Sequence, residues 1–166
     1  MGVIPWAQLC AGNALTVATV DDRGRPVAGR GWGASPVDDD PDLVRLLISA
    51  DDAERPGAFV PGGRVAVTGG DPITLRSAQA KGRIVAVEAA GPDDVAVSSR
   101  HRRATFAAII ESDRTLPHLL DRMVPARLAA CTIRVEECFD QTPGPGAGEP
   151  GTGTPDSGPP DSGTPV

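Results

Sequence analysis

The chain of 166 residues has no tyrosine, a single lysine (Lys81), two histidines and three cysteines. Without tyrosine, no phenol is available as a general acid. Cys10, Cys131 and Cys138 are an odd set with no short paired spacing, so buried free thiols are expected rather than a disulfide framework or a zinc knuckle. Neither His101 nor His118 has a carboxylate or a cysteine at a spacing that implies a dyad, and no catalytic residue is assigned. No apolar run approaches a bilayer span, and the N-terminus lacks the basic start and long apolar core of a signal peptide, so a cytoplasmic protein is expected. The formal charge of -6 argues against nucleic acid or an anionic membrane as the main partner, because extended phosphate binding needs a net basic face.

Proline and glycine are plentiful, and from Thr142 onward they dominate, with Pro155-Asp156-Ser157-Gly158 nearly repeated as Pro160-Asp161-Ser162-Gly163. No apolar residue in such a segment could offset the entropy of ordering. The expected organisation is one domain over residues 1–141 and a disordered tail over 142–166, which leaves about 140 residues to build a core.

The most informative stretch is Ile73–Val87. It alternates with period two, as a strand does, and sets Ala78, Ala80, Gly82, Ile84 and Ala86 against Ser77, Gln79, Lys81 and Arg83. The first set suits a core. The second lines a hydroxyl, an amide and two cations along one side of a sheet, where they either meet an anionic or heteroaromatic ligand or face water. That the sole lysine lies here, among fifteen arginines elsewhere, points to a use for its compact charge.

Around it the chain reads as mainly β. A short helix after Pro5 ends near Gly12. A strand from Leu15 to Asp21, apolar on both faces, meets a turn at Asp21-Asp22-Arg23-Gly24, and Pro26 opens the next strand. That strand, Val27–Ser35, carries Gly29, Gly31 and Gly33, which weaken it unless a bulge or a ligand needs the space. The acidic loop Asp38–Pro41 lacks the spacing of an EF-hand and reads as a solvated turn. Strands follow at Leu43–Ser49 and Arg64–Thr68, with carboxylates at Asp51, Asp52 and Glu54 where a helix would begin. A helix from Pro92 to about Ser112 sets an apolar stripe of Phe106, Ile109 and Ile110 opposite a basic cluster, Arg100–Arg103, that is either a solvated face or a rim for an anionic substrate. A short helix near Leu116–Met123 precedes a last strand, Leu128–Phe139.

The Gln79-Ala80-Lys81-Gly82 strand and the closing Phe139-Asp140-Gln141-Thr142-Pro143-Gly144-Pro145 segment, in this order of elements, resemble a bacterial branch of the pyridoxamine 5'-phosphate oxidase-like, FMN-binding split-barrel family. The resemblance spans Ala14 to Gly148. It implies a six-stranded antiparallel split β-barrel flanked by short helices, a homodimer with its cofactor sites between subunits, and an FMN-binding oxidoreductase acting on a small molecule. It implies a phosphate contact from Arg30, with Gly31 and Trp32 beside the flavin ring, and further contacts from Ser49, Arg55, Gln79 and Lys81. By the residues alone, Trp32 serves equally as core and Arg30 as a surface cation. Members of the family commonly place a Ser-Arg-Lys cluster after the third strand, whereas this chain has Ser49, an acidic stretch and then Arg55. Two alternatives therefore stand beside FMN: a deazaflavin or haem in the same groove, or a dimeric binding protein that uses no cofactor. No metal site is expected.

Overall fold

The computed structural model describes residues 4–9, 12–37 and 40–150. Cys10, Asp38, Asp39 and the tail from residue 151 lie outside them. The elements run α1 (Trp6–Leu9), β1 (Ala14–Val20), β2 (Pro26–Val37), β3 (Asp40–Ser49), α2 (Ala50–Ala53), β4 (Arg64–Gly70), β5 (Ser77–Ala89), α3 (Pro92–Asp113), α4 (Pro117–Asp121) and β6 (Leu128–Asp140). The six strands, all antiparallel to their neighbours, close a barrel in the order β1-β2-β3-β6-β5-β4.

Side-chain alternation decides what enters the barrel. Leu15, Val17, Val44, Leu46, Ile48, Val65, Val67, Ala80, Ile84, Cys131, Ile133 and Val135 pack together inside it. β5 obeys the expected parity from Ala78 to Ile84. A bulge at Val85 then reverses it, so Val87 instead of Ala86 packs against the core. β1 differs from expectation: Leu15, Val17 and Thr19 are buried, but Thr16 and Val20 are exposed, so only one of its faces is core. The barrel ends are plugged. Leu9 of α1 and the segment carrying Ala58 and Phe59 are buried with the core, and Thr19 Oγ1 donates to the Arg64 carbonyl at 2.8 Å.

The segment 71–76 is a turn, although its sequence alternates like the strand that follows. Asp71 Oδ1 accepts the Ile73 N–H at 2.8 Å, its Oδ2 accepts the Thr74 hydroxyl at 2.7 Å, and Leu75 takes φ +62. The β1–β2 turn is fixed similarly, with Asp21 Oδ1 accepting the N–H groups of Arg23 and Arg25 and Gly24 at φ +74.

The outside of the barrel is half covered. α3 lies over β2, and Trp32, Leu47 and Ala130 form a second buried cluster beneath it with Val97, Phe106, Val124 and Leu128. Its N-terminus is tied to β3 through Asp94, which meets Arg45 Nε at 2.7 Å and Nη2 at 2.8 Å and accepts the Gly91 N–H at 2.8 Å. The Arg45 guanidinium holds the Asp94 carboxyl below the usual carboxylate range. Of the expected apolar stripe of α3, Phe106 is half-buried against the Trp32 cluster, and Ile109 and Ile110 are half-buried; the fully buried residues of the helix are Asp94, Ser98, His101 and Thr105, a polar stripe. Their partner is the β1 approach: Thr105 Oγ1 donates to the Asn13 carbonyl at 3.0 Å, His101 also bonds the Asn13 backbone, and Asn13 Nδ2 donates to the Ala7 carbonyl at 2.7 Å. Burial pushes the His101 imidazole down to about 4. Cys131 and Cys138 are buried free thiols, and burial raises both, Cys131 to about 12.

Candidate functional site

α3 leaves the outer faces of β1, β4 and β5 bare. Inward residues on these strands alternate with outward ones, and the strand registers align the outward ones in rows. Arg30 on β2 stands beside Thr16 on β1, then Thr68 on β4, Gln79 on β5 and Phe139 on β6. The next row, roughly 7 Å away along the strands, is Ala28, Ala18, Ala66, Lys81 and Glu137. One row is thus rich in donors. The other is flat alanine until it reaches the lysine.

The polar row is internally organised. Gln79 Nε2 donates to Thr68 Oγ1 at 2.9 Å, which leaves the Gln79 amide oxygen free to accept. Lys81 Nζ lies 4.3 Å from the centroid of the Phe139 ring, and the Arg30 guanidinium lies 5.9 Å from that of Trp32. Arg30 sits where the helix-covered half meets the bare half, over a shallow hollow bounded by Ala14, Thr16, Ala28 and Gly29. Neighbouring strands are about 4.8 Å apart, so roughly 14 Å of sheet separates Arg30 from Gln79.

Among solved structures, an F420 reductase aligns over 80% of this chain and 94% of its own, with 17% identity and a TM-score of 0.51. HupZ of Group A Streptococcus aligns over 82% and 90% at 20% identity with a TM-score of 0.46. A pyridoxamine 5'-phosphate oxidase-related, FMN-binding protein of Nostoc punctiforme aligns over 83% and 77% at 13% identity with a TM-score of 0.41. No protein-family model and no curated protein matches the sequence. The chain has the split-barrel fold.

Within the split barrel, the residues singled out from the sequence fall into four places. Arg30, Gln79 and Lys81 share the bare outer face. Gly31 turns into the barrel: a Cβ there would lie 2.6 Å from Leu15 Cβ and 3.2 Å from Leu46 Cδ1. Trp32 is buried beneath α3 and reaches the outer face only through its contact with Arg30. The glycines of β2 therefore make room for the protein's own atoms. A Cβ at Gly29 would meet Asp52 Oδ2 at 2.7 Å, and Gly33, at φ +147, lets Val97 and Ser98 of α3 approach.

Ser49 and Arg55 flank α2. Ser49 Oγ accepts the Asp51 N–H at 3.3 Å, and Arg55 pairs with Asp52 at 3.0 Å. Arg127 binds Glu54 at 2.9 Å and Asp51 at 3.5 Å. Three carboxylates thus face two guanidinium groups, and the turn has no surplus positive charge for a phosphate dianion. The residues present fit a flat heteroaromatic ring on the bare face. They do not fit a phosphate at α2.

Sequence reasoning missed Thr16 and Thr68, which only the register brings into the row. It also missed what the Phe139–Gly148 motif does. Gln141 N–H donates to the Ser77 carbonyl at 2.8 Å, Thr142 Oγ1 accepts the Ser77 N–H at 3.1 Å, Asp140 Oδ1 accepts the Thr142 N–H at 2.7 Å, and the Gly148 N–H returns to the Asp140 carbonyl at 2.7 Å. The motif clips the end of β6 to the start of β5. Of the acidic loop, Asp40 is described, and it pairs with Arg134 at 3.0 Å. Among the described residues no cluster of three metal-ligating side chains occurs, and no helix is long and apolar enough to cross a membrane.

Proposed function

We propose that the protein is a homodimeric oxidoreductase that holds a flavin-type cofactor, FMN or its deazaflavin analogue, against the bare outer face of β2-β1-β4-β5 and acts on a small molecule. The observation that carries this reading is the row Arg30, Thr16, Thr68 and Gln79 with Lys81 beside it: a flat sheet surface bearing an ordered amide, two hydroxyls and two cations. When bound, such a cofactor supplies the hydride chemistry itself. The chain then needs to orient a ring, and it has groups suited to that. The free oxygen of Gln79 accepts from a ring N–H, the bond to Thr68 holds the Gln79 side chain along the face, and Lys81 and Arg30 favour a ring edge or side chain that carries negative charge. Ala18, Ala28 and Ala66 let a planar group or a second subunit come close. The second subunit would exclude water from the face and complete the phosphate contacts that α2 does not offer.

The test is titration of the purified protein with FMN and with a deazaflavin, followed by absorbance, together with its native mass. Support is a dimer that binds one of the two, with affinity lowered about tenfold or more in Gln79→Ala and Lys81→Met. A monomer, or a protein indifferent to millimolar concentrations of both, rejects the reading. One observation favours a second reading, a dimeric binding protein without a cofactor: the spaces opened by Gly29, Gly31 and Gly33 are filled by the chain itself. That reading gives a dimer with no flavin band and no rise in melting temperature on adding either cofactor.

A further inference from the structure

On the covered side of the barrel, away from the polar row, lies a cavity of about 660 Å³ between α3, α2, the end of β5 and the loop 124–128. It falls within the range of small-molecule sites, and it shares no lining residue with the bare outer face. Its walls are apolar, with Ala53, Val87, Val95, Val124 and Leu128 among them. Two polar groups in it are unspent. Ser98 is 4% exposed and lines the cavity, yet its hydroxyl has no hydrogen-bond partner among the described residues. Arg102, one turn further along α3 and so on the same helix face, lines the cavity without an ion-pair partner among those residues. The other charged groups of the lining are taken: Arg127 binds Glu54, and Glu88 binds Arg45 at 2.7 Å.

Among the described residues, Arg102 is thus the one lining charge without an ion-pair partner. No buried side-chain polar atom among the described residues lacks a partner, so the unbonded Ser98 hydroxyl opens into the cavity, where it can donate to an entering acceptor. We infer that the cavity binds a small carboxylic acid with an apolar body, its carboxylate received by the Arg102 guanidinium and the Ser98 hydroxyl and its body lying on the Val87, Val95 and Leu128 walls. A carboxylate suits the pair because it accepts a charge-assisted bond from the guanidinium on one oxygen and the serine hydroxyl on the other. A neutral isostere loses the stronger of the two. The apolar walls reject a small hydrophilic anion, which would leave its hydration shell without compensation.

The inference is tested with 1-naphthoate and its uncharged amide, 1-naphthamide, by calorimetry and by melting shift. Expected is saturable naphthoate binding about tenfold or more tighter than naphthamide. Arg102→Gln should remove that preference and Ser98→Ala should weaken naphthoate severalfold, while Arg103→Gln, exposed on the same helix and outside the cavity, leaves binding unchanged. Ser98→Ala deletes an unpartnered hydroxyl and so tests the site even if the arginine variant folds poorly. Equal binding of acid and amide, absence of binding at about 10 mM, or equal weakening by Arg102→Gln and Arg103→Gln overturns the inference. Flavin binding on the other face is independent of all these outcomes, so failure of one reading leaves the other to its own test.

Discussion

The ammonium of Lys81 stands over the ring of Phe139, 4.3 Å from its centroid, on the side of the barrel away from α3. The contact joins the chain's sole lysine to the first residue of the segment that clips β6 to β5. Exposed cation–π contacts contribute only about 0.5–1 kcal/mol. Lys81→Met should therefore change urea stability by no more than about 1 kcal/mol, yet lower affinity for a flavin-type ring about tenfold or more. A variant that keeps full affinity detaches Lys81 from the proposed site.

Gly31→Ala is expected to destabilise the fold by about 1–3 kcal/mol, because the added methyl meets Leu15 Cβ at 2.6 Å, an atom that no rotamer change can move. Gly70→Ala is the control, since its new Cβ would find Ser77 Cβ at 3.5 Å, ordinary contact. Equal melting temperatures for the two variants would show that the barrel interior relaxes more readily than its packing suggests.

His101 gives stability a dependence on pH. Its imidazole titrates near 4 in the folded chain against an ordinary 6.5, burial being the main cause and the bond to the Asn13 backbone a smaller opposing one. The unfolded chain thus binds the proton first. The contribution is complete above pH 6.5 and is lost as pH falls from there toward 4, reaching on the order of 3 kcal/mol. Carboxylates held below the usual range, Asp21 and Asp94 among them, lose their contributions at still lower pH. Unfolding free energies measured from pH 7 to 4.5 should decline for the natural chain and stay nearly flat for His101→Gln; parallel slopes would remove His101 as the cause.

Asp94→Ala removes both bonds to Arg45 and the acceptor for the Gly91 N–H, leaving a partly buried guanidinium with Glu88 alone. A loss of about 2–3 kcal/mol is expected in urea unfolding. The double change Arg45→Met with Asp94→Leu should cost less than Asp94→Ala, because it strands no charge. If the double variant is the less stable one, the pair is worth more than its desolvation.

What could be read from the sequence was what neighbours along the chain decide. The β5 parity over Ala78–Ile84, the Asp21–Gly24 turn and the proline at the head of β2 follow from local rules, and the structure has them all. What could not be read depended on distant partners. Nothing near Gly31 announces Leu15 and Leu46, and nothing near His101 announces the Asn13 carbonyl. Ile73–Leu75 keep strand spacing, yet the Asp71 side chain captures them in a turn. For the candidate site, Gln79 and Lys81 were legible from alternation, but their alignment with Arg30 through Thr16 and Thr68 required the register of four strands.

The core cluster inside the barrel contains no residue of α3, whose own buried stripe is polar. The helix is held to the barrel by a separate, smaller cluster, Trp32, Leu47 and Ala130 with Val97 and Phe106, and by the Asp94–Arg45 pair. Its backbone amides should exchange with deuterium through a partial opening that leaves β3 and β6 protected. The barrel is thus expected to be the slow-exchanging unit, and α3 the part that opens first.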